Sequence, residues 1–332
     1  MLMIITRTPF RISFLGGGTD YPAWYRENGG AVLSSSIDKY CYINCRYWPP
    51  FFKEKFRVVY SRIELINKIE EIQHPSIKAC LKFMHIDRGI EVTHNADLPA
   101  RAGLGSSSAF TVGLLHALNG VTGKIISKRQ LALDAIDVEQ NIIKEHVGSQ
   151  DQTQTAFGGI NVIKFGGNQK INVLPLTISN NMLKEFESHL MLFYTGISRY
   201  ATEIAKGKIA SIKTKKSDFK TLGSFVDEGV KILSNNSDLD LFGKLLNESW
   251  KIKRALTASI SNETIDDAYS VAIKAGASGG KLLGAGGGGF LLMFASPCYH
   301  KKVREALKSL LYVPFSIEFL GSQIVYYMAD NE

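Results

Sequence analysis

Pro99-Ala100-Arg101-Ala102-Gly103-Leu104-Gly105-Ser106-Ser107-Ser108 runs straight into Ala109 to Leu118, an apolar stretch of helical character with small side chains. A helix start leaves N–H groups unpaired and carries partial positive charge, so it suits an anion. Gly103 and Gly105 let the main chain wrap phosphate oxygens without Cβ clashes. Ser106, Ser107 and Ser108 add hydroxyl donors and potential magnesium ligands. No Gly-Lys-Ser/Thr follows, so this is not a Walker A loop. An ordinary loop with a serine N-cap would use the same residues.

Three further segments carry candidate chemistry. Lys281 to Phe290 contains four successive glycines, Gly286 to Gly289, beside a predicted strand. Such a run costs backbone entropy and implies close approach to a ligand or another backbone, or else a hinge. Arg7 to Asp20 joins a strand and a fixed cation, Arg11, to the loop Gly16-Gly17-Gly18-Thr19-Asp20. Its carboxylate could accept two hydrogen bonds from neighbouring sugar hydroxyls, or simply cap the next segment. Glu139 lies on a predicted helix, and Asp151 follows the break at Gly148-Ser149-Gln150. One carboxylate would suit magnesium, which keeps most of its waters, and the other an attacking hydroxyl. Alone, either reads equally well as a surface charge.

The elements that must position these groups follow from the hydrophobic pattern. Extended segments are predicted over Ile4 to Phe14, broken at Pro9, and over Ala31 to Trp48, Phe56 to Ser61 and Ile90 to Asn95. His74 to Ile86 has helical spacing. Ser127 with Gln130 forms a capping box, and Leu131, Ile136 and Ile142 continue that helix's apolar face. Strands follow over Ile160 to Phe165 and, after a turn, from Ile171 to Leu174. Beyond a soft boundary near residue 180 come a strand at His189 to Thr195 and a mostly helical Tyr200 to Ala275. Phe290 to Ala295, Phe315 to Leu320 and Ile324 to Met328 read as strands, and Tyr299 to Leu310 as a helix. This order argues for two α+β layers rather than a repeating βαβ unit.

The chain has 332 residues, enough for one large domain or two fused ones, 1–180 and 181–332. No apolar run is long enough to span a bilayer and no signal peptide is evident, so a cytoplasmic protein without a membrane partner is expected. Cys41 and Cys45 share one strand face and read as buried thiols. The net charge of +8 would serve nucleic acid or phosphorylated small molecules equally, and no nucleic-acid signature accompanies it.

Taken in order, the four segments resemble those of the GHMP kinase superfamily (galactokinase, homoserine kinase, mevalonate kinase and phosphomevalonate kinase). Pro99 to Ser107 matches the superfamily's phosphate loop, Lys281 to Phe290 its C-terminal glycine-rich motif, and Arg7 to Asp20 its N-terminal substrate motif. The resemblance spans residues 4 to 328. It implies a ribosomal protein S5 domain 2-like N-terminal domain and a ferredoxin-like C-terminal domain, with the active site between them. It also implies ATP and Mg2+ as cofactors, Ser107 and Glu139 as metal ligands, Asp151 as the catalytic aspartate and Arg11 as its cationic partner. ATP would lie over Gly103 to Ser108. Gly17, Gly18, Thr19, Asp20, Gly286 and Gly287 would contact the acceptor.

Within the superfamily, Gly16 to Tyr21, Gly148 to Gln152 and Phe193 to Arg199 look most like the D-glycero-D-manno-heptose 7-phosphate kinases, with the fucokinase domain next. Galactokinase carries a Glu-His pair in the first loop that is missing here. The implied reaction is phosphorylation of the anomeric hydroxyl on the route to GDP-heptose for surface polysaccharide. A sugar 7-phosphate would need a cationic pocket, for which Arg199, Lys206 and Arg101 are candidates. The expected partners are a sugar phosphate and ATP, with the protein a monomer or homodimer. Another sugar 1-kinase, a diphosphomevalonate-type decarboxylase and a non-catalytic sugar sensor are the rival readings.

Overall fold

The computed structural model describes residues 2–166, 171–197, 201–235 and 237–329. Two sheets organise the chain. The first contains β1 (Met3–Leu15), β2 (Gly30–Tyr47), β3 (Phe56–Val59), β4 (Ile63–Ile66), β5 (Ile90–Ala96), β6 (Ile160–Phe165), β7 (Ile171–Pro175) and β12 (Gln323–Met328). The second has the order β11 (Leu311–Tyr312), β8 (Leu190–Tyr194), β10 (Phe290–Phe294), β9 (Gly279–Leu282). Helices α1 (Pro22–Asn28), α2 (Pro75–Phe83), α3 (Ser106–Val121), α4 (Lys128–Asp137) and α5 (Gln150–Phe157) belong to the first half. Helices α6 (Asn180–Ser188), α7 (Ala201–Ser211), α8 (Lys216–Ser234), α9 (Asp240–Leu256), α10 (Glu263–Lys274) and α11 (His300–Ala306) follow. The α+β reading therefore holds.

Pro9 does not break its strand. It has no N–H to give the ladder, and a register shift between Pro9 and Phe10 absorbs the gap, so β1 runs through against β2. β2 is long enough to serve two partners, β6 along Gly30 to Ser35 and β5 along Cys41 to Tyr47. Phe315 to Leu320 is not a strand. Only Ile317 makes a single bridge, to Ile37, and β11 pairs with β8 instead. Only half of the expected capping box forms: Ser127 accepts from the Gln130 N–H, but the Gln130 side chain donates to Asp134 instead of reaching back to Ser127.

The helix after Ser127 departs from simple periodicity. Beyond α4 it widens into a π-type turn over Val138–Ile142. That insertion rotates the face: Ile142 is turned to solvent, whereas Glu139 is fully buried. Cys41, Cys45 and Cys80 are buried free thiols. Among the described residues no helix is long and apolar enough to cross a membrane.

The last strand, β12, pairs with β1, so the far end of the chain completes the first sheet. The halves also share core. Phe14 of β1 packs edge-on against Phe186 of α6 and Phe242 of α9 (centroids 5.3 and 6.1 Å), and both of these contact Phe294 of β10. Aromatic contacts of this kind add to the burial energy and fix orientation. They hold the start of α3 opposite the second sheet.

Candidate active site

A cavity of about 900 Å³ opens between the two halves. One wall is the start of α3. Its N-cap is Gly105, in the left-handed region at φ 74°, and no side chain caps the helix. The serines therefore follow the cap instead of forming it. Ser107 is exposed, and Ser106, Ser107 and Ser108 all line the cavity, at the helix end that favours an anion. Leu104 is buried, and its carbonyl accepts from the Arg11 N–H at 3.0 Å.

The second glycine segment locks onto the first. A Cβ at Gly103 would sit 2.6 Å from the Leu283 carbonyl oxygen, and one at Gly284 would sit 2.5 Å from the Gly103 Cα. At Gly289 it would meet the Ala102 oxygen at 2.3 Å. Close approach to another backbone, one of the readings of the glycine run, is realised. Gly284, Gly286 and Gly288 still line the cavity, whereas the Gly287 N–H is engaged by the Ile260 carbonyl.

Arg11 and Asp151 meet at the cavity floor. Arg11 is 4% exposed and donates to both carboxylate oxygens of Asp151, Nε to Oδ1 at 2.8 Å and Nη2 to Oδ2 at 2.6 Å. Its Nη1 donates to the Gly103 carbonyl at 2.7 Å, which ties the pair to the phosphate loop. Such a two-pronged contact fixes the plane of the carboxylate as well as its charge. Asp151 stands in the first turn of α5 and is 28% exposed toward the cavity. Gln150 beside it accepts from the Ser13 hydroxyl.

Asp20 enters from the opposite side of this floor. Its Oδ1 accepts from the Gly18 N–H at 2.8 Å, and burial raises its carboxyl above the usual range, against the pull of Lys208. Gly17 and Gly18 line the cavity with it. Thr19 does not: its hydroxyl is engaged by the Gly16 and Ala31 carbonyls and shapes the loop. Gly148 presses so close that a Cβ there would lie 1.8 Å from Asp20 Oδ2. Gly148→Ala is therefore expected to push Asp20 aside.

Glu139 lies behind this surface. Its Oε2 accepts from Ser108 Oγ at 2.9 Å and from Gln152 Nε2 at 2.5 Å, while Oε1 has no hydrogen-bond partner. Burial pushes its carboxyl up to about 7 despite those hydrogen bonds. The serine in contact with Glu139 is thus Ser108, with Ser107 facing the cavity. A carboxylate with one unpartnered oxygen, bonded through the other to Ser108 at the start of α3, fits magnesium, which needs only one or two protein oxygens besides phosphate and water.

Some lining residues lie outside the four motif segments. Of these, Tyr60, Ser61 and the segment near His74 are open sequence candidates for bordering an adenine. Together with His94 and Phe110 they line one part of the cavity wall. His74 stacks on Phe110 at 4.8 Å, with Tyr60 and His94 edge-on to the pair. Burial lowers both histidines, His94 to about 4, so the wall is neutral as well as aromatic and suits a flat base. Lys208, Lys253 and Lys281 are three nearly buried lysines on the other side. A signal did exist: Lys208 stands one turn after the buried Ile204 and Ala205 on α7, and Lys253 falls between Trp250 and Leu256 on α9. A lysine at such a position must have a reason to be inside. Arg101 lines the cavity, Lys206 is exposed and outside its lining, and Arg199 lies outside the described residues.

Family models for the GHMP kinases N-terminal domain and the GHMP kinases C-terminal domain match residues 70–159 and 231–313, together just over half of the chain. The chain belongs to the GHMP kinases and is a phosphotransferase with a hydroxyl acceptor and ATP as donor. It is similar to a D-glycero-alpha-D-manno-heptose 7-phosphate kinase of Campylobacter jejuni, at 27% identity over 93% of this chain and 94% of that one. A bifunctional fucokinase/GDP-fucose pyrophosphorylase of Arabidopsis thaliana is 25% identical over 90% of this chain and 30% of its own length. Among solved structures, a D-glycero-D-manno-heptose 1-phosphate kinase from Bacteroides thetaiotaomicron superposes with a TM-score of 0.78 at 21% identity, covering 99% of this chain and 100% of that one.

For a sugar kinase, Gly148→Ala should raise KM for the acceptor about tenfold or more, as expected when a hydrogen bond to a charged group is lost. If Asp20 serves the acceptor, KM for ATP should change by less than about threefold. Initial rates with each substrate varied in turn would check this, and a rise confined to ATP would contradict it.

Proposed function

We propose that this chain phosphorylates the anomeric hydroxyl of D-glycero-D-manno-heptose 7-phosphate, producing the 1,7-bisphosphate and ADP. The observation that carries the reading is the Arg11–Asp151 pair, tied by one guanidinium to Gly103 of the phosphate loop and sharing a cavity with Asp20. The nucleotide's base rests on the His74–Phe110 wall and its phosphates on the start of α3. Asp20 accepts from sugar hydroxyls. Asp151 holds the attacking oxygen in line with the γ-phosphorus. The new O–P bond forms as the β–γ bridge breaks, the electron pair leaves with ADP, and the hydroxyl proton passes toward Asp151.

Glu139, with the hydroxyls of Ser107 and Ser108, would hold magnesium, which when bound offsets charge on the β and γ phosphates. Because Arg11 fixes the plane of the Asp151 carboxylate, positioning and electrostatics supply most of the acceleration, as is usual in phosphoryl transfer. An ADP-release screen against heptose 7-phosphate, fucose, galactose and mevalonate, with phosphorus NMR of the product, tests the reading. Heptose 7-phosphate should give the highest kcat/KM and a phosphate on C1. Preferred turnover of any other acceptor would displace it.

A further inference from the structure

Lys208 is 4% exposed and lines the cavity beside Gly18. A Cβ on Gly18 would lie 3.1 Å from its Nζ, so the ammonium sits directly against the loop that carries Asp20. Its neighbours Lys253 and Lys281 are just as buried but accounted for. Lys253 donates to the Leu282 and Gly284 carbonyls at 2.8 Å each, and Lys281 donates to the Phe14 carbonyl at 2.7 Å. These bonds stitch the glycine-rich segment to α9 and to β1. Lys208 has the Gly17 carbonyl at 3.5 Å, too long for a good hydrogen bond, and the Tyr21 ring, whose centroid lies 5.5 Å from its Nζ. Among the described residues no carboxylate oxygen lies within 4.0 Å of it.

A buried ammonium left so poorly satisfied is costly and persists when an anion completes it. On the reading above, the nucleotide's phosphates have their own cradle at the start of α3. We propose that Lys208 receives a phosphoryl group already present on the acceptor, so that the substrate is a sugar phosphate and not a free sugar. This rests on the sugar kinase reading above and names the residue that reads the second phosphate. The acceptor is then held at two points. Its phosphate lies on α7 and its ring hydroxyls on Asp20, with the reacting hydroxyl at Asp151. Burial lowers the Lys208 amine while Asp20 and Asp151 hold it up, in keeping with a cation that an incoming dianion would stabilise.

The test compares kcat/KM for phosphorylated and free members of two pairs, D-glycero-D-manno-heptose 7-phosphate against the heptose, and mannose 6-phosphate against mannose. Wild type should favour a phosphorylated member by roughly a hundredfold, the scale of a buried charge contact. Lys208→Gln should cut that ratio by about thirtyfold or more, chiefly through KM of the phosphorylated sugar, whereas Lys208→Arg should keep it within about fivefold. The ratio is independent of how much variant folds. A ratio in Lys208→Gln within about threefold of wild type would overturn the proposal. So would a wild-type enzyme that prefers the free sugar, a result that needs no variant. Should mannose 6-phosphate be preferred and Lys208→Gln abolish the preference, Lys208 keeps its role and the heptose reading fails. Should heptose 7-phosphate be preferred with the variant's ratio intact, the heptose reading stands and Lys208 falls.

Discussion

Asp151→Asn should lower kcat by at least about a hundredfold while leaving KM for ATP within about threefold, the range set by general base and positioning groups. The carboxamide cannot reproduce the present geometry. Arg11 donates to both Asp151 oxygens, and one of them would become an NH2 facing another donor. The pair would open, and Arg11, also bonded to the Gly103 carbonyl, would be left as a buried charge without its anion. The reacting hydroxyl loses both its acceptor and its alignment. Single-turnover rates with saturating ATP would report the chemical step directly, and near-native turnover by the Asn variant would remove Asp151 from its role. A melting temperature measured alongside separates loss of chemistry from loss of fold.

The second large effect concerns pH and stability. Glu139 is fully buried, and burial raises its carboxyl to about 7 from an ordinary 4.5. Between those values the folded chain keeps a proton that the unfolded chain has released. Stability contributed by this group is therefore greatest below about pH 4.5, falls as pH rises, and is gone above about 7. The full change amounts to about 3 kcal/mol. Glu139→Gln, which cannot ionise, should erase that slope. Urea unfolding at closely spaced pH values, without nucleotide or metal, should show the two proteins converging near pH 4.5 and the variant ahead above pH 7. Parallel curves would show that Glu139 does not titrate in this way. On the proposed reading the same variant should also lose most activity, because that reading assigns the unpartnered Oε1 to the metal. That is the expected conflict between stability and function.

What could be read in advance, and what could not, follows from the range of the interactions. The start of α3 and the loop at Asp20 rest on local chemistry, glycine conformation and helix ends, and so show in short stretches of residues. The contact between Arg11 and Asp151 spans 140 positions and was expected only through family resemblance. The π-type turn at Glu139 escaped a reading based on regular periodicity, because one inserted residue reverses inside and outside without changing composition. Ile142 and Glu139 exchanged the environments their types suggest. The missing strand at Phe315 to Leu320 is a different failure: its residues have strand character, but β8 takes Leu311–Tyr312 as its neighbour. The burial of Lys208 was also missed, since only its place one turn after Ile204 and Ala205 distinguishes it from the exposed Lys206.

The aromatic cluster of Phe14, Phe186, Phe242 and Phe294, together with the return of β12 to β1, has a bearing on how this enzyme tells acceptors apart. Two lobes sewn together at the core and again at the margin have no slack to swing shut on a guest. Discrimination then falls to the mould itself, to where its charges and hydroxyl acceptors already stand before anything arrives. Molecules that miss one anchor gain no second chance from a closing jaw.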